Sequence, residues 1–114
     1  MRPVALVDAR NVLRSRWPNI AEDALVRGVE QWAAGEGVDP VIVFDGRAPE
    51  VVTDARLVGS RPQIADDWIA AEAARLAGEG TPYWLVTSDR ELRVRAGEAA
   101  ERIIGGGALA KLLP

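Results

Sequence analysis

Aspartates stand where apolar runs end: Asp8 after VALV, Asp45 after VIVF, Asp66-Asp67 after a polar loop, and Asp89 after WLVTS. In an open parallel sheet, ligands bind at the ends of the strands. Carboxylates gathered at one such edge repel each other unless a cation lies between them. The chain has no His and no Cys, so it can offer a metal little besides oxygen. Such a donor set selects Mg²⁺ or Mn²⁺ over zinc. The pattern reads first as a metal-dependent enzyme acting on phosphate esters.

Each acid also has a structural explanation when taken alone. Asp8 could cap a turn, with Asn11 supplying a left-handed residue; in a site, the Asn11 amide would orient Asp8 or a phosphate. Asp66 and Asp67 open a helix, where one cap suffices. Ser88-Asp89-Arg90-Glu91 matches a capping box, with Ser88 as N-cap and Glu91 reaching back. That box leaves Asp89 unexplained. Asp45, before Gly46, also suits a turn. Together, several independent strand ends each delivering Asp exceed what capping needs, and they imply a divalent cation.

Arg10, Arg14, Arg16, Arg47, Arg61 and Arg90 fall in loops or helix starts near the same edge. They are candidates for holding a phosphate backbone, although a loop arginine is more often simply solvated. Trp17 has no obvious core position and suits stacking on a base. Trp32, Trp68 and Trp84 fit core faces. Gly105-Gly106-Gly107 lacks the strand–GxGxxG–helix context of a nucleotide-binding loop.

The elements that must position these residues alternate. Val4 to Val7, Val41 to Phe44 and Tyr83 to Val86 are short apolar runs of the kind buried on both faces. Ile103-Ile104 is a fourth short strand, and an edge strand at Val51 to Thr53 or Arg56 to Val58 would be a fifth. Helical spacing covers Ala21 to Gly35 and Ala65 to Leu76; another helix runs from Ser88 to about Ala99. Residues 9 to 20 read as an irregular loop, and Ala108 to Leu113 as a small terminal helix. This order predicts a three-layer α/β fold, with a central parallel sheet of four to five strands and right-handed crossovers. Connections are short, so residues 1–114 form a single domain.

With 48% apolar and 27% charged residues the composition is that of a globular domain. A net charge of −3 gives the whole no attraction for nucleic acid. Lys111 is the only lysine, so arginine supplies the other 13 of 14 basic residues. That bias suits bidentate phosphate contacts, and equally a GC-rich genome, which also explains the many Ala and Gly. The absence of cysteine excludes disulfides and thiol catalysis. Neither a signal peptide nor a membrane span is expected, which places the protein in the cytoplasm by default.

VALVDARNVL, VIVFDG, ADDWIAAEA and WLVTSDRELR, in this order, resemble the NYN (YacP-like) branch of the PIN-like ribonucleases, and IIGGGALAKLL is similar to that family's end. The resemblance implies a PIN-like, Rossmann-like fold and an acidic pocket binding one or two Mg²⁺ or Mn²⁺ ions. It implies hydrolysis of RNA phosphodiesters to a 5′-phosphate and a 3′-hydroxyl. Asp8, Asp66 and Asp89 would hold the metal, Asp67 would stand in the place of a frequent second acid, and Asn11 would be the family's nearby asparagine. Asp45 falls at a position of less definite role. Thr87 and Ser88 would hydrogen-bond the carboxylates, while Arg10, Arg14, Arg47, Arg90 and Ser88 would contact substrate. Ala9-Arg10 departs from the small, glycine-containing pair usual there. The short 46–64 segment, with no basic extension after Leu113, predicts that RNA binding draws on a homodimer, a ribosome or another protein partner. The competing expectation is a non-catalytic NYN-like module that binds RNA or protein; a phosphatase or DNA nuclease on the same fold is a third.

Overall fold

The computed structural model describes residues 1–113. Val4–Asp8 forms β1, whose side chains are almost all shut away from solvent. The other strands are β2 (Asp39–Phe44), β3 (Arg56–Gly59), β4 (Tyr83–Val86) and β5 (Arg102–Ile104). They make one all-parallel sheet in the order β3-β2-β1-β4-β5. The chain builds outward from β1 to β3 on one side, then returns to place β4 on the other side of β1. The order therefore reverses between β1 and β4, and the crevice above such a reversal is where open α/β sheets bind ligands.

Strand alternation divides the core in two. Ala5, Val7, Ile42, Phe44, Trp84 and Val86 face α2 (Glu22–Glu36), through its Leu25, Val26, Val29 and Ala33. Leu6, Val41, Val43, Tyr83 and Leu85 face α3 (Ala65–Gly78) and α4 (Arg90–Ala96), through Ile69, Ala73, Leu76 and Leu92. Each fully buried aliphatic side chain contributes roughly 1.5–3 kcal/mol. Truncating Leu6 or Leu85, both wholly buried, would cost about 2–5 kcal/mol. By the same alternation Asp8, two residues after Leu6, belongs to the α3/α4 face.

Local structure departs from the sequence reading in three places and, at the edge strand, chooses between its two alternatives. Residues 9 to 14 are not loop but a short helix, α1 (Ala9–Arg14). It buries only Ala9 and Val12, too little apolar surface to leave a periodic trace, and Asp8 caps it. The edge strand is Arg56–Gly59 rather than Val51 to Thr53. The helix after β4 ends at Ala96, with Gly97 as its C-cap. The terminal helix, α5 (Gly106–Ala110), starts inside the glycine run. Here glycine serves close packing: a Cβ on Gly106 would collide with the side-chain oxygen of Asn11 on α1. Among the described residues, no helix is long and apolar enough to cross a membrane.

Candidate active site

Asp8 ends β1 and is buried, 6% exposed. Its Oδ1 accepts from the Asn11 backbone N–H at 3.4 Å, and its Oδ2 accepts from the Thr87 hydroxyl at 3.1 Å. Thr87 lies one step beyond β4, whose register sets Val86 beside Val7, so the two polar residues meet on the same face of neighbouring strands. The Thr87 oxygen in turn accepts from the Asp89 N–H at 3.2 Å. Asp89, not Ser88, is the N-cap of α4: its Oδ1 accepts from Leu92 N–H at 3.0 Å. The expected capping box does not form; Ser88 is engaged elsewhere, and a single cap bond from Asp89 takes its place.

Ser88 and Asn11 form a clamp instead. The Asn11 Oδ1 accepts from Ser88 N–H at 2.9 Å, and the Ser88 hydroxyl oxygen accepts from Gly106 N–H at 2.9 Å. Three segments (α1, the β4–α4 turn and the start of α5) are tied together there. Asn11 therefore orients Asp8 through its backbone N–H, while its amide holds the turn that carries Asp89. Arg93, which the sequence reading passed over, donates from Nε to the Thr87 carbonyl at 2.8 Å and secures the same turn. Nothing in its sequence context marks that role.

The α3 acids are not caps. Ile64 is the N-cap and offers no side-chain bond. The Ala65 N–H is satisfied from β2 by Asp45 Oδ1 at 2.9 Å, while Asp45 Oδ2 pairs with Arg10 at 3.2 Å. With the cap supplied from a neighbouring strand, Asp66 is left over for the cleft. Asp67 turns away and pairs with Arg95 at 2.8 Å.

An open cleft of about 200 Å³ results, lined by Asp8, Asp45, Asp66 and Asp89, by Arg10, Asn11 and Arg14, and by Ile64 and Ala65. The fold thus brings Asp8, Asn11, Asp45, Asp66, Asp89, Arg10 and Arg14 to one place. Asp67, Ser88, Arg47 and Arg90 do not line it. Ile64, 56% exposed, gives the rim an apolar wall that no motif announced.

The acids shape the electrostatics. Burial pushes the Asp8 carboxyl above its ordinary range; the Asn11 and Thr87 hydrogen bonds oppose this, while Asp66 and Asp89 add to it. Asp66 is also raised, first by burial and then by Asp89, with Arg95 acting against them. Yet among the described residues no three acidic side chains converge into a ready-made metal cage. The acids line the cleft more loosely than the sequence pattern implied, because Asp8, Asp45 and Asp89 each spend oxygens on backbone N–H groups. The donor chemistry still fits a hard divalent cation: carboxylate oxygens, with mutual repulsion to be relieved.

The opening is smaller than the ~300–1,000 Å³ usual for pockets that enclose a whole small molecule. No protein-family model and no curated protein sequence matches the chain. The fold is a YacP-like NYN fold. It is similar to that of Rae1 (YacP) from Bacillus subtilis. A single-substitution variant of Rae1 superposes with TM-score 0.76 at 21% identity, over 96% of this chain and 73% of that one. A second Rae1 structure gives 0.72 at 18%, over 97% and 72%. The T5 5′-exonuclease gives 0.63 at 19%, over 90% of this chain and 49% of that one.

Proposed function

We propose that the chain is a divalent-metal-dependent ribonuclease hydrolysing RNA phosphodiesters in the cleft above β1 and β4. The observation that carries this reading is the burial of Asp8 at the point where strand order reverses. Its carboxyl is raised by burial and further by Asp66 and Asp89. A carboxylate is expensive to bury without a partner. Among the described residues no cation side chain pairs with Asp8, so the arrangement calls for a bound one.

Asp8, Asp66 and Asp89 would hold the Mg²⁺ or Mn²⁺ ion, and Asp45 lies close enough to the cleft to contribute. When bound, such an ion neutralises phosphate charge and acidifies the attacking water. The chain's own groups do the positioning. Thr87 and the Asn11 N–H aim the two oxygens of Asp8, and the cap of α4 aims Asp89. Arg10 and Arg14 stand on the rim, placed to contact non-bridging phosphate oxygens. No His, Cys or Lys lines the cleft to act as general base. The strand would be cut to leave a 5′-phosphate and a 3′-hydroxyl.

The second reading, a non-catalytic module binding RNA or protein, is favoured by the looseness of the acids and their engagement with backbone N–H groups. Calorimetric titration of Mn²⁺ into the protein and into Asp8→Asn separates the two, with RNA cleavage assayed alongside. The nuclease predicts binding that disappears in the variant, together with metal-dependent cutting that EDTA stops. Metal binding unchanged by Asp8→Asn would sink the site. RNA binding without cutting at any metal concentration would establish the module. A matched DNA strand in the same assay reports whether the ribose matters.

A further inference from the structure

Three of the four tryptophans are packed: Trp84 is 9% exposed, and Trp32 and Trp68 lie against the two cores. Trp17 is 88% exposed. Exposing an indole forfeits more burial than exposing almost any other side chain, and this one does not sit on a loose tail. The segment leading into it is held at two points. Ser15 donates from its hydroxyl to the Asn11 carbonyl at 2.6 Å, and Arg16 Nη1 donates to the Leu113 carbonyl at 3.1 Å.

Its placement relative to the cleft follows from α1. Arg10 and Arg14 are one helical turn apart on that helix, and both line the cleft. Ser15 keeps right-handed helical dihedrals, and its N–H still reaches back to Val12 at 3.1 Å. Beyond Ser15 the chain leaves the helix and bends at residues 16 to 18, which sets Trp17 three residues past the cleft-lining Arg14. Three residues span at most about 11 Å, so the Trp17 backbone stands within that distance of Arg14. Among the described residues no carboxylate pairs with Arg14. The open indole thus follows closely on the two arginines of α1 that line the acidic cleft.

Resting on the nuclease reading of the cleft, we propose that Trp17 is a base-stacking platform. With Arg14 it extends the cleft into a track for an unpaired nucleic-acid strand. Arginines contact the phosphates of any strand, paired or not. An indole face is different: it takes a base only when that base is free of its own stack. Trp17 then confines productive binding to single-stranded segments.

The test is the anisotropy of a short dye-labelled oligouridylate, which forms no duplex with itself, against wild type, Trp17→Ala and Trp17→Phe, with a duplex RNA in parallel. Loss of one base stack weakens single-strand binding roughly 5- to 150-fold in Trp17→Ala. Phe restores most of it, duplex binding stays the same, and the salt dependence is unaltered because no phosphate contact is lost. Single-strand binding by Trp17→Ala equal to wild type overturns the proposal, as does an equal loss on duplex, or no strand binding by wild type. Altered self-association in place of altered strand binding would assign Trp17 to a contact between copies, and also overturns it. Cleavage by the same proteins is read separately. A strand bound through Trp17 but never cut removes the nuclease reading and leaves the track; a strand cut without regard to Trp17 does the reverse.

Discussion

The Thr87 hydroxyl donates to Asp8 Oδ2 at 3.1 Å across the β1–β4 boundary, and its oxygen accepts from the Asp89 N–H at 3.2 Å. One fully buried hydroxyl thus fixes the distance between two acids carried by different strands. The neighbouring bond from Asn11 to Ser88 ties the same two segments a second time. The cleft is held by this pair of cross-links rather than by its acids, which repel one another.

Thr87→Val keeps the shape of the side chain and removes the hydroxyl. Loss of a group that orients a metal ligand typically lowers metal affinity by about 10–100-fold. Leaving a buried acceptor unmatched costs about 1–3 kcal/mol of stability. Thr87→Ser should keep both. Mn²⁺ titration and thermal melts of the two variants check this; a valine variant that binds metal like wild type would separate Thr87 from the site.

The pH dependence of the metal-free protein has a definite sign. Asp8 and Asp66 have folded pKa values above their ordinary 3.8, so between the two values the native state binds more protons than the unfolded chain. Their contribution is fullest below the unfolded value and is lost as pH rises through the folded one. Glu72, held down by the Arg75 guanidinium, acts oppositely: its contribution is present above 4.5 and lost as pH falls through its depressed folded value. Comparison with Asp8→Asn cancels Glu72. From about pH 4 to about pH 7, the variant should gain in Tm relative to wild type without metal. A difference that stays flat over that range would mean the Asp8 charge is already compensated.

Asp89 carries two separable duties. As N-cap of α4, it accepts from Leu92 N–H, and Asn caps as well as Asp. Asp89→Asn should therefore melt near wild type while losing metal binding and cleavage. Asp89→Ala should lose the cap as well, about 0.5–2 kcal/mol. Equal cleavage by wild type and Asp89→Asn would show that Asp89 is a cap and nothing more.

Adjacent acids on α3 should behave unequally. Asp66 lines the cleft, whereas Asp67 pairs with Arg95 on the helix alongside. Asp66→Asn is expected to abolish metal binding. Asp67→Asn should leave it nearly intact and cost about 0.2–1 kcal/mol, the range of an exposed ion pair. Calorimetry on both decides; equal losses would return Asp67 to the metal site.

Much of the fold is legible in the sequence. VALV, VIVF and YWLV are short apolar runs ending at turn signals, the pattern of strands buried on both faces. The helical spacing of Leu25, Val26, Val29 and Trp32, and of Trp68, Ile69, Ala73 and Leu76, marks the two long crossovers. Where the reading failed, the local signal was weak or borrowed. The first helix buries two small residues, so no period announces it. Ser88-Asp89-Arg90-Glu91 satisfies a capping box in one dimension, but Gly106 competes for the Ser88 hydroxyl, and the cap passes to Asp89.

Residue types and their order along the chain determined that oxygen ligands end several strands of a parallel sheet, because strand burial and the absence of His and Cys are local and compositional facts. Which of those acids meet was decided only in three dimensions. Asp66 and Asp67 are adjacent in sequence and identical in chemistry. They part because Asp45, about twenty residues earlier, caps α3 from a neighbouring strand, and Arg95, on another helix, draws Asp67 away from the cleft. Contacts between residues distant in sequence leave no periodicity behind, so they had to be seen in the folded chain.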